Sequence, residues 1–206
     1  MLIETNPVSE HRKVAGLILA GGEGRRMGGD KPFRELAGKP LIAHVISAAS
    51  AQCNHLMISS NEDVARFADF NLPVVPDSPK PGQGPLGGIL GGLRAVPDGI
   101  DWLVSFPVDC PIVPGDMALQ LIKAATDAGK KAAFASHAGR DHYLSAVWHR
   151  DTVEIIIRQL AADDRRVGRA LRGADAVVVD FPVGPGQSTP FININTLTDL
   201  NAMNAI

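Results

Sequence analysis

The feature that most narrows the possible folds is a repeated alternation. Short apolar runs rich in branched side chains, at residues 14–20, 56–59, 102–106, 132–135 and 176–179, are separated by stretches of helical periodicity. Runs of this length suit strands buried on both faces, and parallel strands of that kind need crossover connections. The pattern therefore predicts an α/β fold: a mostly parallel sheet, helices on both faces and right-handed crossovers. Residues 143–148 read as a short antiparallel return within it.

Helix signals fall between the strands. Pro40 opens a segment in which Ile42, Val45, Ile46 and Ala49 share one face, and a second segment runs from near Asp116 to Gly129. Asp151 with Glu154 spells a capping box ahead of Ile155, Ile156 and Leu160, and Thr196 with Asp199 spells another at the last helix. Residues 76–88, PDSPKPGQGPLGG, read as a loop because Pro and Gly punctuate them so densely. Open α/β sheets place ligands beyond the carboxyl ends of their strands, which makes that loop a candidate wall of a site.

A chain of 206 residues suits one domain, expected over 14–206, behind a loose arm at 1–13 that mixes Glu4, Glu10, His11, Arg12 and Lys13 with no apolar leader. The net charge of −2 supplies no long-range field for nucleic acid or an anionic membrane, so a polyanionic ligand has to meet a local cluster of cations. No stretch approaches the roughly 18 to 20 apolar residues of a membrane span. A cytoplasmic enzyme is expected. Cys53 and Cys110 lack the paired spacing of a zinc or redox motif and read as reduced packing residues.

The local cluster follows the first apolar run directly, as Leu19-Ala20-Gly21-Gly22-Glu23-Gly24-Arg25-Arg26-Met27-Gly28-Gly29-Asp30-Lys31. Its glycines allow backbone N–H groups to converge on phosphate oxygens, and Arg25, Arg26 and Lys31 add charge. Each charge-assisted hydrogen bond to a phosphate is worth on the order of 1.5 to 3 kcal/mol, so three cations within reach matter. Two familiar glycine loops fail here. In the dinucleotide fingerprint the third glycine position is Met27; in the P-loop pattern Asp30 takes the lysine position and Lys31 the hydroxyl position.

The run LAGGEGRRMGGDK resembles the signature loop of the molybdenum cofactor guanylyltransferases, close to LAGGxSxRMGxDK. Further resemblances follow in order: Asp77-Ser78, Gly84-Pro85-Leu86-Gly87-Gly88, Phe106-Pro107-Val108-Asp109-Cys110-Pro111 and Phe191-Ile192-Asn193-Ile194-Asn195-Thr196. The resemblance extends from residue 14 to about 203. It implies a three-layer Rossmann-like nucleotidyltransferase fold, GTP and a molybdopterin-type cofactor as substrates, Mg²⁺, and a guanine dinucleotide cofactor with pyrophosphate as products. It also implies transient contact with proteins that deliver the cofactor or accept the product. Related cytidylyltransferases carry Ala-Ala-Gly where this chain has Ala20-Gly21-Gly22, which favours guanine.

Residue by residue, the resemblance implies that Leu19, Ala20, Gly21 and Gly22 contact base and ribose through the backbone. Ser59, Asp77, Pro85 and Leu86 complete the nucleotide site, although the family has asparagine where Ser59 stands and Asn61 lies two residues on. Asp77 has a turn carboxylate as its alternative reading. Arg25 and Lys31 hold phosphates. Asp109, at the end of a buried strand, places one carboxylate at the sheet edge, enough for an ion that keeps most of its waters; capping the following loop is the alternative. Asn193 and Asn195 alternate on what reads as a late strand and face the cation or acceptor, or else form a polar strand end and a cap. His142 follows a family acceptor motif that Tyr143 breaks, and a strand histidine is its other reading. Asp163, Asp164, Arg165 and Arg166 read as a solvated turn, with the acceptor phosphate as a second reading for the arginines. A cytidylyltransferase on molybdopterin or a sugar-phosphate nucleotidyltransferase of the same fold is the runner-up. A nucleotide-binding regulatory domain without turnover is the reading from another class.

Overall fold

A computed structural model describes residues 14–21, 29–184 and 188–204. Its main sheet has seven strands in the order β5-β4-β1-β6-β8-β7-β9. At the centre β1 (Val14–Leu19) pairs in parallel with β4 (His55–Ser59) and β6 (Trp102–Pro107). The short β5 (Val74–Val75) extends the sheet beyond β4, and β9 (Val177–Asp180) pairs in parallel with β7 (Ala132–His137). Between β6 and β7 lies β8 (Arg140–His149), antiparallel to both. The five runs predicted as strands all lie in this sheet. The antiparallel return is there too, and begins earlier than residue 143 because the polar residues 140–142 continue the pairing with β7.

Alternation along the strands divides the interior. Ile18, Ile58, Val104 and Phe106 pack towards α1 (Leu41–Ser50) and α3 (Met117–Asp127). Leu17, Leu19, Met57 and Leu103 pack towards α2 (Gly84–Ala95), α4 (Val153–Ala161) and α5 (Val167–Gly173). A smaller cluster of Leu36, Leu41, Ile194 and Leu200 joins α6 (Leu197–Asn204) to the hairpin of β2 (Glu35–Leu36) and β3 (Lys39–Pro40). This is the expected α/β architecture with helices on both faces. Among the described residues no helix is long and apolar enough to cross a membrane.

Three expectations need correction. The loop predicted over 76–88 ends early, because α2 starts at Gly84 with Pro85 in its first turn. Glycine's poor helix propensity is overridden there by packing: Gly87, Gly88, Gly91 and Gly92 are all buried, and a Cβ on Gly91 would stand 2.2 Å from the Pro76 carbonyl oxygen. The box at Asp151 and Glu154 does not form. His149 Nδ1 accepts the Asp151 N–H, and Asp151 lies in a one-turn 3-10 segment ahead of α4, with its carboxylate near Lys131 and His149. Asn193 and Asn195 lie on no strand: residues 191–195 are irregular and are pinned by main-chain bonds from Phe191 N–H to the Ile112 carbonyl and from Ile194 N–H to the Asp109 carbonyl. The box at Thr196 and Asp199 does form, each residue's side chain accepting the other's N–H.

Candidate active site

The carboxyl edge of the sheet carries three groups of predicted residues. The first is built where β6 ends. Val108 N–H donates to the Leu19 carbonyl, Cys110 N–H to the Pro107 carbonyl and Ile194 N–H to the Asp109 carbonyl, so the backbone around Asp109 is held on both sides. Lys31 opens a single 3-10 turn, Lys31–Phe33, after Asp30 at φ 53°. Pro32 is buried in that turn, and the Phe33 ring packs 5.4 Å from Phe67 with the Arg66 guanidinium 4.9 Å above its centroid. These contacts fix the root of the lysine side chain. Its ammonium donates to Asp109 Oδ2 and to Asn195 Oδ1, each at 2.8 Å.

Asn195 reaches the lysine from the opposite end of the chain. Its N–H donates to Asp199 Oδ2 at 2.9 Å, and Thr196 N–H donates to the same oxygen at 2.8 Å. The Asn195 backbone N–H, the bonding to Thr196 and the Lys31 charge hold the Asp199 carboxyl below its ordinary value. The cap that starts α6 is thereby the device that presents Asn195 to Lys31.

The second group lines a cleft of about 270 Å³ formed by Leu19, Gly21, Ser59, Asn61, Asp77, Gly82, Gly84 and Pro85. Ala20 N–H extends the β1 ladder to the Ser59 carbonyl, so that donor and the Leu19 carbonyl are both already engaged. Asp77 behaves as a turn carboxylate and as a wall at once: Oδ2 accepts Gln83 N–H at 2.9 Å, and its own N–H donates to Asn61 Oδ1 at 2.9 Å. Leu86 follows the cleft residue Pro85, and its side chain is fully buried in the core. Gly22 and Arg25 lie outside the described residues, as does the arm expected at 1–13. Asn61 and Gly82 were not on the predicted site. For Asn61 the signal was available, a polar amide two residues beyond the end of a strand; for Gly82 there was none apart from its loop.

The third group is at the start of β8. The His142 ring stacks on Phe191 at 4.7 Å, and Phe181 meets Phe191 edge-on at 5.6 Å. Burial, then the nearby charge of Arg140, pushes the His142 pKa down, which favours a neutral ring. Phe191 belongs to the same segment that carries half-buried Asn193 and then Asn195, so His142 is tied to the lysine centre through the chain at 191–195.

A metal ion would find hard oxygen donors here: the Asp109 carboxylate with the Asn195 amide oxygen beside it. Among the described residues no cluster of three or more His, Cys, Asp or Glu side chains stands ready to hold one. The donor set fits an ion that keeps several waters and takes its other ligands from substrate phosphates, and does not fit a closed structural metal centre.

Comparison with known proteins agrees with this geometry. Residues 16–179 match the family described as the MobA-like NTP transferase domain. A molybdenum cofactor guanylyltransferase of Rhodopseudomonas palustris (strain BisB5) is 40% identical over 200 residues, covering 94% of each chain. One from Rhodobacter capsulatus is 44% identical over 190 residues, covering 91% of this chain and 93% of its own. Among solved structures, molybdopterin-guanine dinucleotide biosynthesis protein A from Archaeoglobus fulgidus superposes with a TM-score of 0.75 at 25% identity, covering 93% of this chain and 97% of that one. A nucleotidyltransferase sheet, a cleft beside the end of β1 and sequence relatives along nearly the whole chain converge: this chain belongs to the molybdenum cofactor guanylyltransferase family of MobA-like NTP transferases.

Proposed function

We propose that the chain transfers GMP from GTP to the terminal phosphate of a molybdopterin-type cofactor, giving a guanine dinucleotide cofactor and pyrophosphate. The observation that carries the reading is the Lys31–Asp109 pair at 2.8 Å, at the carboxyl edge and continuous through Leu19 with the cleft lined by Asp77 and Asn61. In the reaction an acceptor phosphate oxygen attacks the α-phosphorus of GTP. The bond to the bridging oxygen breaks, and its electron pair leaves with pyrophosphate. The nucleophile is already ionised near neutral pH, so the site needs no strong general base, and its work is positioning and charge stabilisation.

In this reading Lys31 and Arg25 hold the phosphates. Leu19, Ala20, Gly21, Gly22, Ser59, Asp77, Pro85 and Leu86 form the nucleotide site, with Leu86 confined to main-chain contact by its burial. Asp109 anchors a divalent metal, for which Mg²⁺ is the ion proposed. When bound, the ion supplies positive charge to the phosphates and orients them. Asn195 keeps Lys31 beside Asp109, while Asn193 and the His142–Phe191 stack face the acceptor.

The test is pyrophosphate release with GTP, CTP or ATP and Mg²⁺, each with and without molybdopterin. Release that requires both GTP and molybdopterin is expected. Preference for CTP would move the chain to the cytidylyltransferase reading, and no release with any nucleotide would leave a binding module.

A further inference from the structure

We propose that Arg165 is a positioning residue for the nucleotide, setting the shape of the cleft from the turn that follows α4. The proposal rests on the reading of the cleft beside Asp77 as the nucleotide site.

Arg165 Nη1 donates to the Gly82 carbonyl at 2.9 Å, and Nη2 donates to Asp163 Oδ1 at 3.0 Å. The bond to Gly82 reaches across 83 positions of the chain, and the bond to Asp163 stays within the turn. Its neighbours do something different: Arg166 and Arg169 both bond to Asp164, within their own turn and helix. Gly82 lines the cleft and holds φ at +80°, a conformation that side chains rarely adopt. The next residue is Gln83, whose N–H bonds to Asp77 Oδ2. Arg165 therefore grips the carbonyl of the same peptide group whose N–H bonds to Asp77.

The other ties of the loop hold its start, where Ser78 N–H donates to the Gly87 carbonyl and Arg94 donates to Ser78 Oγ, whereas Arg165 holds its end at Gly82. A cavity of about 470 Å³ separates the loop from α4, lined by Pro79, Gln83, Leu90, Leu160, Asp163 and Arg165 among others. The Arg165 side chain is 49% exposed, so the pair with Asp163 by itself is a solvated ion pair of little consequence. A donor fork held by that carboxylate and aimed at a main-chain carbonyl in the cleft wall is a device for positioning. The base side of the site is affected, whereas the Lys31–Asp109 centre makes no bond to this turn.

The experiment compares Arg165→Ala, Arg165→Lys and Asp77→Ala with the wild-type chain, reading GTP affinity by calorimetry, steady-state kinetics and inhibition by pyrophosphate. For Arg165→Ala, Kd and KM for GTP should rise roughly three- to tenfold, the scale of one hydrogen bond's net contribution. Its kcat should stay within about twofold, the pattern of lost ground-state binding. Pyrophosphate inhibition should not change, which a general loss of structure would not spare. Arg165→Lys, which keeps a charged donor without the fork, should recover part of the affinity. If Asp77→Ala weakens GTP binding while Arg165→Ala does not, the positioning role is wrong and the site reading stands. If Asp77→Ala leaves GTP binding unchanged, both the cleft reading and this proposal fall, even if Arg165→Ala has an effect of its own.

Discussion

Lys31 and Asp109 stand 78 positions apart in the chain and meet at 2.8 Å between Nζ and Oδ2, with side-chain exposures of 15% and 23%. The pair is part-buried at the strand ends, where open α/β sheets place their ligands, and that placement fits a role in chemistry. Lys31→Ala should cost about 10²- to 10³-fold in kcat, the scale of removing one preorganised donor from a phosphoryl-transfer site. The thermal midpoint should move by no more than about 4 °C. Paired activity assays and melting curves check both halves; normal turnover would take Lys31 out of the mechanism.

Gly91 offers a test of the packing that shapes the cleft. Alanine in the middle of a helix normally stabilises by about 1 kcal/mol relative to glycine. Here its Cβ would stand 2.2 Å from the Pro76 carbonyl oxygen, so Gly91→Ala should change the sign. A loss of about 1 to 3 kcal/mol in denaturant unfolding is expected, with a raised KM for GTP because Pro76 leads directly into Asp77. A stabilised variant would show that the 76–83 segment yields easily.

The cap of α6 should leave a mark in the acid limb of stability. Asp199 titrates below its ordinary value of 3.8, owing first to the Asn195 N–H. A carboxyl depressed in the folded state contributes stability that is fully present above its unfolded value and is lost as pH falls through the folded one. The stability gap between wild type and Asp199→Asn should therefore be constant near neutrality and narrow below pH 3.8. Urea midpoints measured across that range decide it, and a gap indifferent to acid would deny the charge any part in the cap.

Both cysteines should be silent in the native protein. Burial pushes the thiols of Cys53 and Cys110 up to about 12, and the neighbouring Asp109 charge adds to the effect at Cys110. The thiolate is the reactive form, and at pH 8 it would be about one part in 10⁴ for such a thiol. A chromogenic disulfide reagent should find no reactive thiol in the folded chain and both after denaturation. Rapid labelling of Cys110 in the native state would mean that the strand end beside Asp109 opens.

The central strands were legible because β1, β4, β6 and β7 are buried on both faces and so read as unbroken apolar runs, whereas the edge strand β9 alternates between partly buried and exposed residues and was marked only by its valines. The antiparallel β8 was visible only in its apolar half, since Arg140, Asp141 and His142 carry no strand pattern and pair through the hairpin with β7. The helix α2 was hidden by its own glycines: what marks a loop in isolation is here a means for a backbone to lie close to Ser59, Pro76 and Leu17. In the site, Lys31 and Asp109 could each be named from a local motif, and the geometry joins them. The posture of Asn195 could not be read from residue type, because main-chain bonds to Asp109 and Ile112 fix an irregular segment that mimics a strand in its alternation. The Asp151 box failed for a related reason, a histidine two residues earlier having taken the N–H that the box assigns to Glu154.

Asn195 lies 164 positions beyond its lysine partner, and Asn204, at the end of the helix that follows it, accepts the Ala37 N–H at 2.7 Å across 167. During synthesis the glycine loop and the central strand leave the ribosome long before the residues that brace Lys31. A nascent chain can therefore collapse around its sheet and still lack a finished reaction centre. On the roles proposed for Lys31 and Asn195, competence arrives with the tail, and a stall or truncation ahead of α6 would yield a largely folded protein without chemistry.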